Sequence, residues 1–162
     1  LLHIEYTTGT VLSIQQTAPL TATPTASLLT VLPTATLEAT SQPVSEVIYD
    51  DTNSTFVFSP GWQDFAAEQA NGGSYKATTI QDASATLGFT GQSFSILYTD
   101  GQSYKGMSVY VDGVLVETIY RKTNTITYQQ RWDYPGQLSL GAHTVQLVFV
   151  NGYGSLDAVI IR

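Results

Sequence analysis

The sequence has no cysteine among its 162 residues, which excludes disulfide frameworks, thiolate zinc sites and thiol nucleophiles together. Charge is sparse as well: 6 basic against 13 acidic residues make up 12% of the chain and leave a net charge of -7. Nucleic acid is therefore not an expected partner, because its binding relies on cationic side chains at the phosphates. No window reaches the ~18 consecutive apolar residues of a membrane helix; the best runs are Leu28 to Leu32 and Val145 to Val150. No membrane insertion is expected. Histidine occurs only at His3 and His143, so a triad of the Ser-His-Asp kind lacks parts.

What is present is a β-protein composition. Hydrophobic residues are 43% of the chain, with 10 tyrosines and 13 glycines, enough apolar material for one sizeable core. A polar, uncharged, lysine-poor surface leans towards exported proteins. The chain opens at Leu1 without a charged start followed by an apolar stretch. This reads as a processed N-terminus, so the expected location is extracellular or cell-surface after removal of a signal sequence.

Two regions follow from composition. Residues 1–45 hold four of the six prolines, eleven threonines and two carboxylates, Glu5 and Glu38. Proline removes a backbone donor and threonine restricts χ1, so Thr21-Ala22-Thr23-Pro24-Thr25 favours extended chain over helix. The plain reading is an O-glycosylated stalk. Against it stand β-prone apolar patches, Val11, Leu12 and Ile14, then Leu28, Leu29, Val31 and Leu32, which linkers seldom carry. These seven residues form the expected assembly segment.

From Glu46 to Arg162 short alternating stretches are divided by Gly, Asn, Asp and Pro. Strands are expected over 46–50, 54–58, 75–80, 83–89, 93–98, 107–111, 114–121, 125–132, 143–150 and 156–161. Ala83, Ala85, Leu87 and Phe89 alternate with polar or small residues, as do His143, Val145, Leu147 and Phe149, so one face of each meets a core. Asp112-Gly113 between two such stretches supplies the two positive-φ positions of a type I′ hairpin turn. Ala158-Val159-Ile160-Ile161 is apolar on both faces, which places it centrally. Eight to ten strands at this spacing predict an all-β, antiparallel two-sheet sandwich.

The order of motifs is distinctive: Tyr49-Asp50-Asp51, Pro60-Gly61-Trp62, Gly72-Gly73-Ser74-Tyr75 and Thr86-Leu87-Gly88-Phe89-Thr90-Gly91. Val109-Tyr110-Val111-Asp112-Gly113, Leu140-Gly141-Ala142-His143-Thr144 and Leu156-Asp157-Ala158-Val159 continue it. Residues 46–162 thereby resemble the galactose-binding-like jelly-roll modules, carbohydrate-binding modules among them, of secreted bacterial surface proteins and glycosidases. The resemblance implies a jelly roll without catalysis, glycan binding through loop aromatics, Trp62 as a core plug and a structural role for His143. It also implies a structural calcium, for which Asp50, Asp51 and Asp157 are the candidates because first and last strands run side by side. The departure is an early strand whose glutamate, Glu46, does not align with the family's ligand. No cofactor is otherwise required.

Sugar binding needs exposed aromatic faces ringed by polar groups; the candidates are Tyr98, Tyr104, Trp132, Tyr134 and Tyr153, at strand ends or in Gly-rich loops. Paired carboxylates are the remaining catalytic route, but Asp64, Glu68, Asp100 and Asp133 sit in turn-like contexts. Catalysis is not expected. Two functions compete. In the first the N-terminal segment adds to a neighbouring copy's sandwich as a strand, which propagates a homo-oligomer or filament. In the second the sandwich binds polysaccharide at the end of a glycosylated stalk.

Overall fold

The computed structural model describes residues 45–120, 122–150 and 152–162. The expected assembly segment, Val11, Leu12, Ile14, Leu28, Leu29, Val31 and Leu32, lies outside the described residues. Ser41–Arg162 clusters as one unit, and its described part is built almost wholly of strands. In chain order these are β1 (Val47–Asp50), β2 (Val57–Phe58), β3 (Gln63–Ala66), β4 (Ser74–Thr78), β5 (Ser84–Thr90) and β6 (Phe94–Asp100). There follow β7 (Gly106–Val111), β8 (Val114–Tyr120), β9 (Thr127–Asp133), β10 (Ala142–Phe149), β11 (Gly154–Leu156) and β12 (Ala158–Ile161). A single 3₁₀ turn, Asn71–Gly73, precedes β4.

One sheet has the order β1-β12-β6-β9 and faces a second, β2-β5-β10-β7-β8; β11-β4-β3 forms a small third sheet. Every strand pair is antiparallel. The expected jelly-roll sandwich is what forms. Between the two larger sheets Leu87, Phe94, Ile96, Tyr98 and Val109 are fully buried, each inward aliphatic or aromatic side chain being worth roughly 1.5–3 kcal/mol of burial.

Sequence pattern explains most of this. The alternation in 83–89 becomes β5, with Ala85, Leu87 and Phe89 buried and Gly88 exposed. The doubly apolar last stretch becomes β12, buried along its whole length between β1 and β6. Asp112 and Gly113 take φ of 50° and 80° and close the β7-β8 hairpin with Val111 opposite Val114, as a type I′ turn demands.

Three elements differ from expectation. The stretch 54–58 keeps only Val57–Phe58 as a strand, β2. The stretch 156–161 is divided: Leu156 ends a separate strand, β11, and Asp157 is the junction to β12. β3 was not expected at all, because Gln63-Asp64-Phe65-Ala66 is exposed throughout and carries no apolar alternation. It forms by pairing with β4, Phe65 opposite Tyr75, whose rings stack at 5.5 Å. Tertiary pairing here overrides a weak local signal.

Candidate functional site

The strand ends of β3, β4 and β6 and the loops after β6, β8 and β10 surround an open hollow of about 400 Å³. That volume is in the usual range for a small-ligand site. Its aromatic wall is Phe65, Tyr75 and Tyr153, and Ile126 adds an exposed aliphatic face. Polar groups come from Gln102, Ser103 and Asn124.

Asp100 organises this end of the sandwich. Fully buried at the end of β6, it accepts Gly101 N–H at 2.6 Å through Oδ1, and Lys122 and Thr123 N–H at 2.7 and 2.9 Å through Oδ2. Three backbone donors to one carboxylate satisfy its charge and pin the loop that carries Asn124 and Ile126. Ser155 Oγ fastens the same strand end by donating to the Thr99 carbonyl at 2.7 Å and accepting Thr99 N–H at 2.9 Å. Asp100 is thus the one carboxylate among the described lining residues, and its oxygens are spent on backbone. No acid/base pair faces this hollow among them.

Tyr153 is held from three sides. Its carbonyl accepts Lys105 N–H at 3.3 Å, its hydroxyl donates to Tyr75 Oη at 3.2 Å, and its ring packs against both core clusters. Burial, then the hydrogen bond to Tyr75, pushes its phenol proton well above the ordinary range. The hydroxyl stays a neutral donor at any physiological pH.

The other sequence candidates lie elsewhere or point inward. Tyr98 and Tyr104 were expected as exposed stacking faces; both are completely buried, with ring centroids 5.4 Å apart. Tyr98 falls on the inward phase of β6, and Tyr104 closes the core beneath the hollow, so neither presents a face to a sugar. Burial pushes the Tyr98 hydroxyl up to about 12. Trp132 is 8% exposed, packs on Phe94 at 5.9 Å and donates its indole N–H to Glu117 at 2.9 Å. Tyr134, half-buried, stacks on Phe94 at 5.2 Å. These rings are core and core edge, because β9 turns its alternate residues onto Phe94. Trp62 likewise packs on the core, donating to the Ser84 carbonyl at 3.1 Å. Of the five aromatics, Tyr153 alone faces the hollow as a partly exposed ring.

Sequence reading missed Phe65, Tyr75, Gln102, Asn124 and Ile126, and took Asp100 only as a carboxylate in a turn-like context. For Asp100 a signal exists, an acidic residue followed by Gly101 directly after an apolar strand. For Phe65 none does.

The expected calcium residues do gather beside the 3₁₀ turn. Asp157 Oδ1 accepts Asn71 N–H at 2.9 Å, and Asp50 Oδ2 accepts the Asn71 side-chain amide at 2.7 Å. Asp50 Oδ1 accepts Thr52 N–H at 3.1 Å and the Thr52 hydroxyl at 2.7 Å. Gly72, at φ 64°, passes so close that a Cβ there would sit 2.6 Å from Asp50 Oδ2, so only glycine fits. Both oxygens of Asp51 and Oδ2 of Asp157 are buried without a hydrogen-bond partner among the described residues. Burial and the Asp50 charge raise Asp51 to about 7, and burial raises Asp157 to about 6. Burial also pulls Asp50 upward, but its bonds to Thr52 and Asn71 outweigh that and leave it below the usual range. No group of three or more His, Asp or Glu among the described residues is placed as a metal-ligand set. The free oxygens belong to two carboxylates, not three.

No protein-family model matches the chain, and no curated protein matches it in sequence. Solved structures do. A family 35 carbohydrate-binding module from an environmental isolate superposes with TM-score 0.56 at 17% identity over 70% of this chain and 90% of its own. The CBM36-1 domain of a multidomain xylanase from the hindgut metagenome of Trinervitermes trinervoides matches with TM-score 0.53 at 13% identity, over 73% and 97%. The GH26-CBM35 β-(1,4)-mannanase of Podospora anserina matches with TM-score 0.55 at 17% identity, over 71% of this chain and 27% of its own. The chain thus spans about a quarter of that enzyme but nearly the whole of the two binding modules. Its fold is that of the carbohydrate-binding-module-like jelly rolls.

Proposed function

We propose that residues 46–162 form a non-catalytic carbohydrate-binding module that works outside the cell. The observation that carries this is the open hollow walled by Phe65, Tyr75 and Tyr153, with Asn124, Gln102 and Ser103 among its polar lining. Apolar C–H faces of a sugar pack on aromatic rings while its hydroxyls bond to the polar lining. The two binding modules that share the fold almost end to end support the same reading.

The test is affinity electrophoresis of the full chain through gels containing mannan, xylan, galactan or α-glucan, beside the Tyr153→Ala variant. Retardation in one gel that the variant loses is the expected result. Migration unaffected by every polysaccharide overturns the reading.

Calcium enters this proposal as a structural ion only. Asp51 and Asp157 would hold it, with the orphaned, buried oxygens as the support, and it would supply charge neutralisation beside β12 rather than contact with the sugar. The competing assembly reading draws on residues outside the described ones, and no observation among the described residues favours it over carbohydrate binding.

A further inference from the structure

Three hollows meet at Tyr153. Beside the first, a second of about 130 Å³ lies among Gly61, Phe65, Ala77, Thr79, Ile80 and Tyr153. A third of about 540 Å³ lies among Thr79, Gln102, Ser103, Lys105, Gly152 and Tyr153. Each pair shares a wall besides Tyr153: Phe65 between the first and second, Gln102 and Ser103 between the first and third, Thr79 between the second and third. All three are open to solvent on their outer sides.

A site that reads chain ends closes around one terminal sugar and leaves no room for its neighbours. Here the reverse holds. A sugar seated at the Tyr153 ring has an adjoining open hollow on more than one side of it. The hub between them is held by the Tyr153 hydroxyl's bond to Tyr75 and by its carbonyl's bond from Lys105 N–H. Gly152, at φ 76°, keeps the third hollow's floor low: a Cβ there would collide with the Lys105 side chain and come within 3.0 Å of the Ser103 carbonyl. The outer walls include exposed residues, Ile80 at 54% exposure beside the second hollow and Lys105 beside the third.

We propose that this site binds an internal stretch of a polysaccharide, at least three sugars long, with the middle sugar at Tyr153 and its neighbours in the adjoining hollows. The inference rests on the carbohydrate-binding reading and adds to it the part of the polymer that is recognised.

The test uses the full chain, the polysaccharide gels above, and calorimetric titration with mannan-, xylan-, galactan- and α-glucan-derived oligosaccharides of one to six residues. Affinity is expected to rise at least about tenfold from one sugar to three, since each added contact lowers the dissociation constant multiplicatively. Ile80→Glu and Lys105→Glu, at exposed positions that line only the second and the third hollow, are each expected to weaken the hexasaccharide about fivefold or more. Single-sugar binding should stay unchanged in both, with near-UV circular dichroism reporting the fold. Retardation by a polysaccharide together with equal affinity for one sugar and six overturns this inference and leaves the carbohydrate reading standing. Retention of full hexasaccharide affinity by either variant does the same. Absence of retardation in every gel overturns both.

Discussion

The Tyr153 hydroxyl donates a 3.2 Å hydrogen bond to the Tyr75 hydroxyl, joining the loop after β10 to the small core of Ala70, Tyr75 and Ala77. The bond fixes the ring that three hollows share. Replacing Tyr75 by Phe keeps the stacking with Phe65 but removes that partner. A lost neutral hydrogen bond is worth about 1 kcal/mol, so polysaccharide affinity should fall several-fold, against near-complete loss in Tyr153→Ala. Titration calorimetry on both variants measures the difference; an unchanged affinity in Tyr153→Ala removes the hub from the site.

Trp132 should behave as core. Its burial on Phe94 predicts that Trp132→Ala lowers unfolding free energy by about 3–5 kcal/mol while leaving sugar affinity in the folded protein within about twofold. Denaturant titration beside calorimetry decides it. A variant of normal stability that no longer binds would return Trp132 to the sugar site.

His143 carries a pH dependence. Nδ1 lies 2.7 Å from Asp112 Oδ2 and Nε2 lies 3.0 Å from the Ser139 carbonyl. Both neighbours are acceptors, so only the imidazolium, with two donors, satisfies both. The Asp112 bond first, then the Ser139 bond, raises the pKa of His143 above 6.5. The bonds from His143 and Thr144 lower Asp112 below 3.8. A raised histidine contributes stability that is complete below 6.5 and fades as pH climbs through the folded value; a lowered aspartate contributes above 3.8 and fades in acid. The pair therefore contributes most between about pH 4 and 6.5. His143→Gln should flatten the fall in Tm from pH 6 to 9, measured by thermal unfolding. An identical slope in both proteins would show the pair to be silent.

Asp51 and Asp157 predict the opposite partner for calcium and protons. Raised carboxylates favour the protonated folded state, so metal-free stability should fall as pH rises from 3.8 towards about 7, the folded protein holding the extra protons in that window. A cation bound at the free oxygens replaces those protons, so millimolar calcium should raise Tm at pH 8 by several degrees. Asp51→Asn should be more stable than the parent at pH 8 without metal and should lose the calcium shift. Differential scanning calorimetry with and without chelator is the check. Equal Tm values with and without calcium in the parent would exclude a structural ion there.

Much of the fold was legible in residues. Ala85, Leu87 and Phe89 alternate, Asp112-Gly113 marks its hairpin, and the unbroken 158–161 stretch is a strand covered on both faces. Each is a local signal that burial reinforces. β3 and the separation of β11 from β12 were not legible, because exposed Gln63-Asp64-Phe65-Ala66 has no pattern of its own and forms only against β4.

The site divides the same way. From the sequence alone came the resources: loop aromatics, turn-like contexts for Asp64, Glu68, Asp100 and Asp133, and, through the resemblance, Asp50, Asp51 and Asp157 as the calcium expectation. Which tyrosine faces outward was decided by tertiary structure. Tyr98, Tyr104 and Tyr153 look alike as residues near strand ends, yet the phase of β6 turns Tyr98 into the core and the closure of the next loop buries Tyr104 on it. Tyr153 is left half-exposed where three loops and a patternless edge strand meet. Side-chain direction alternates every residue along a strand, so a ring's role depends on register and on neighbours distant in sequence.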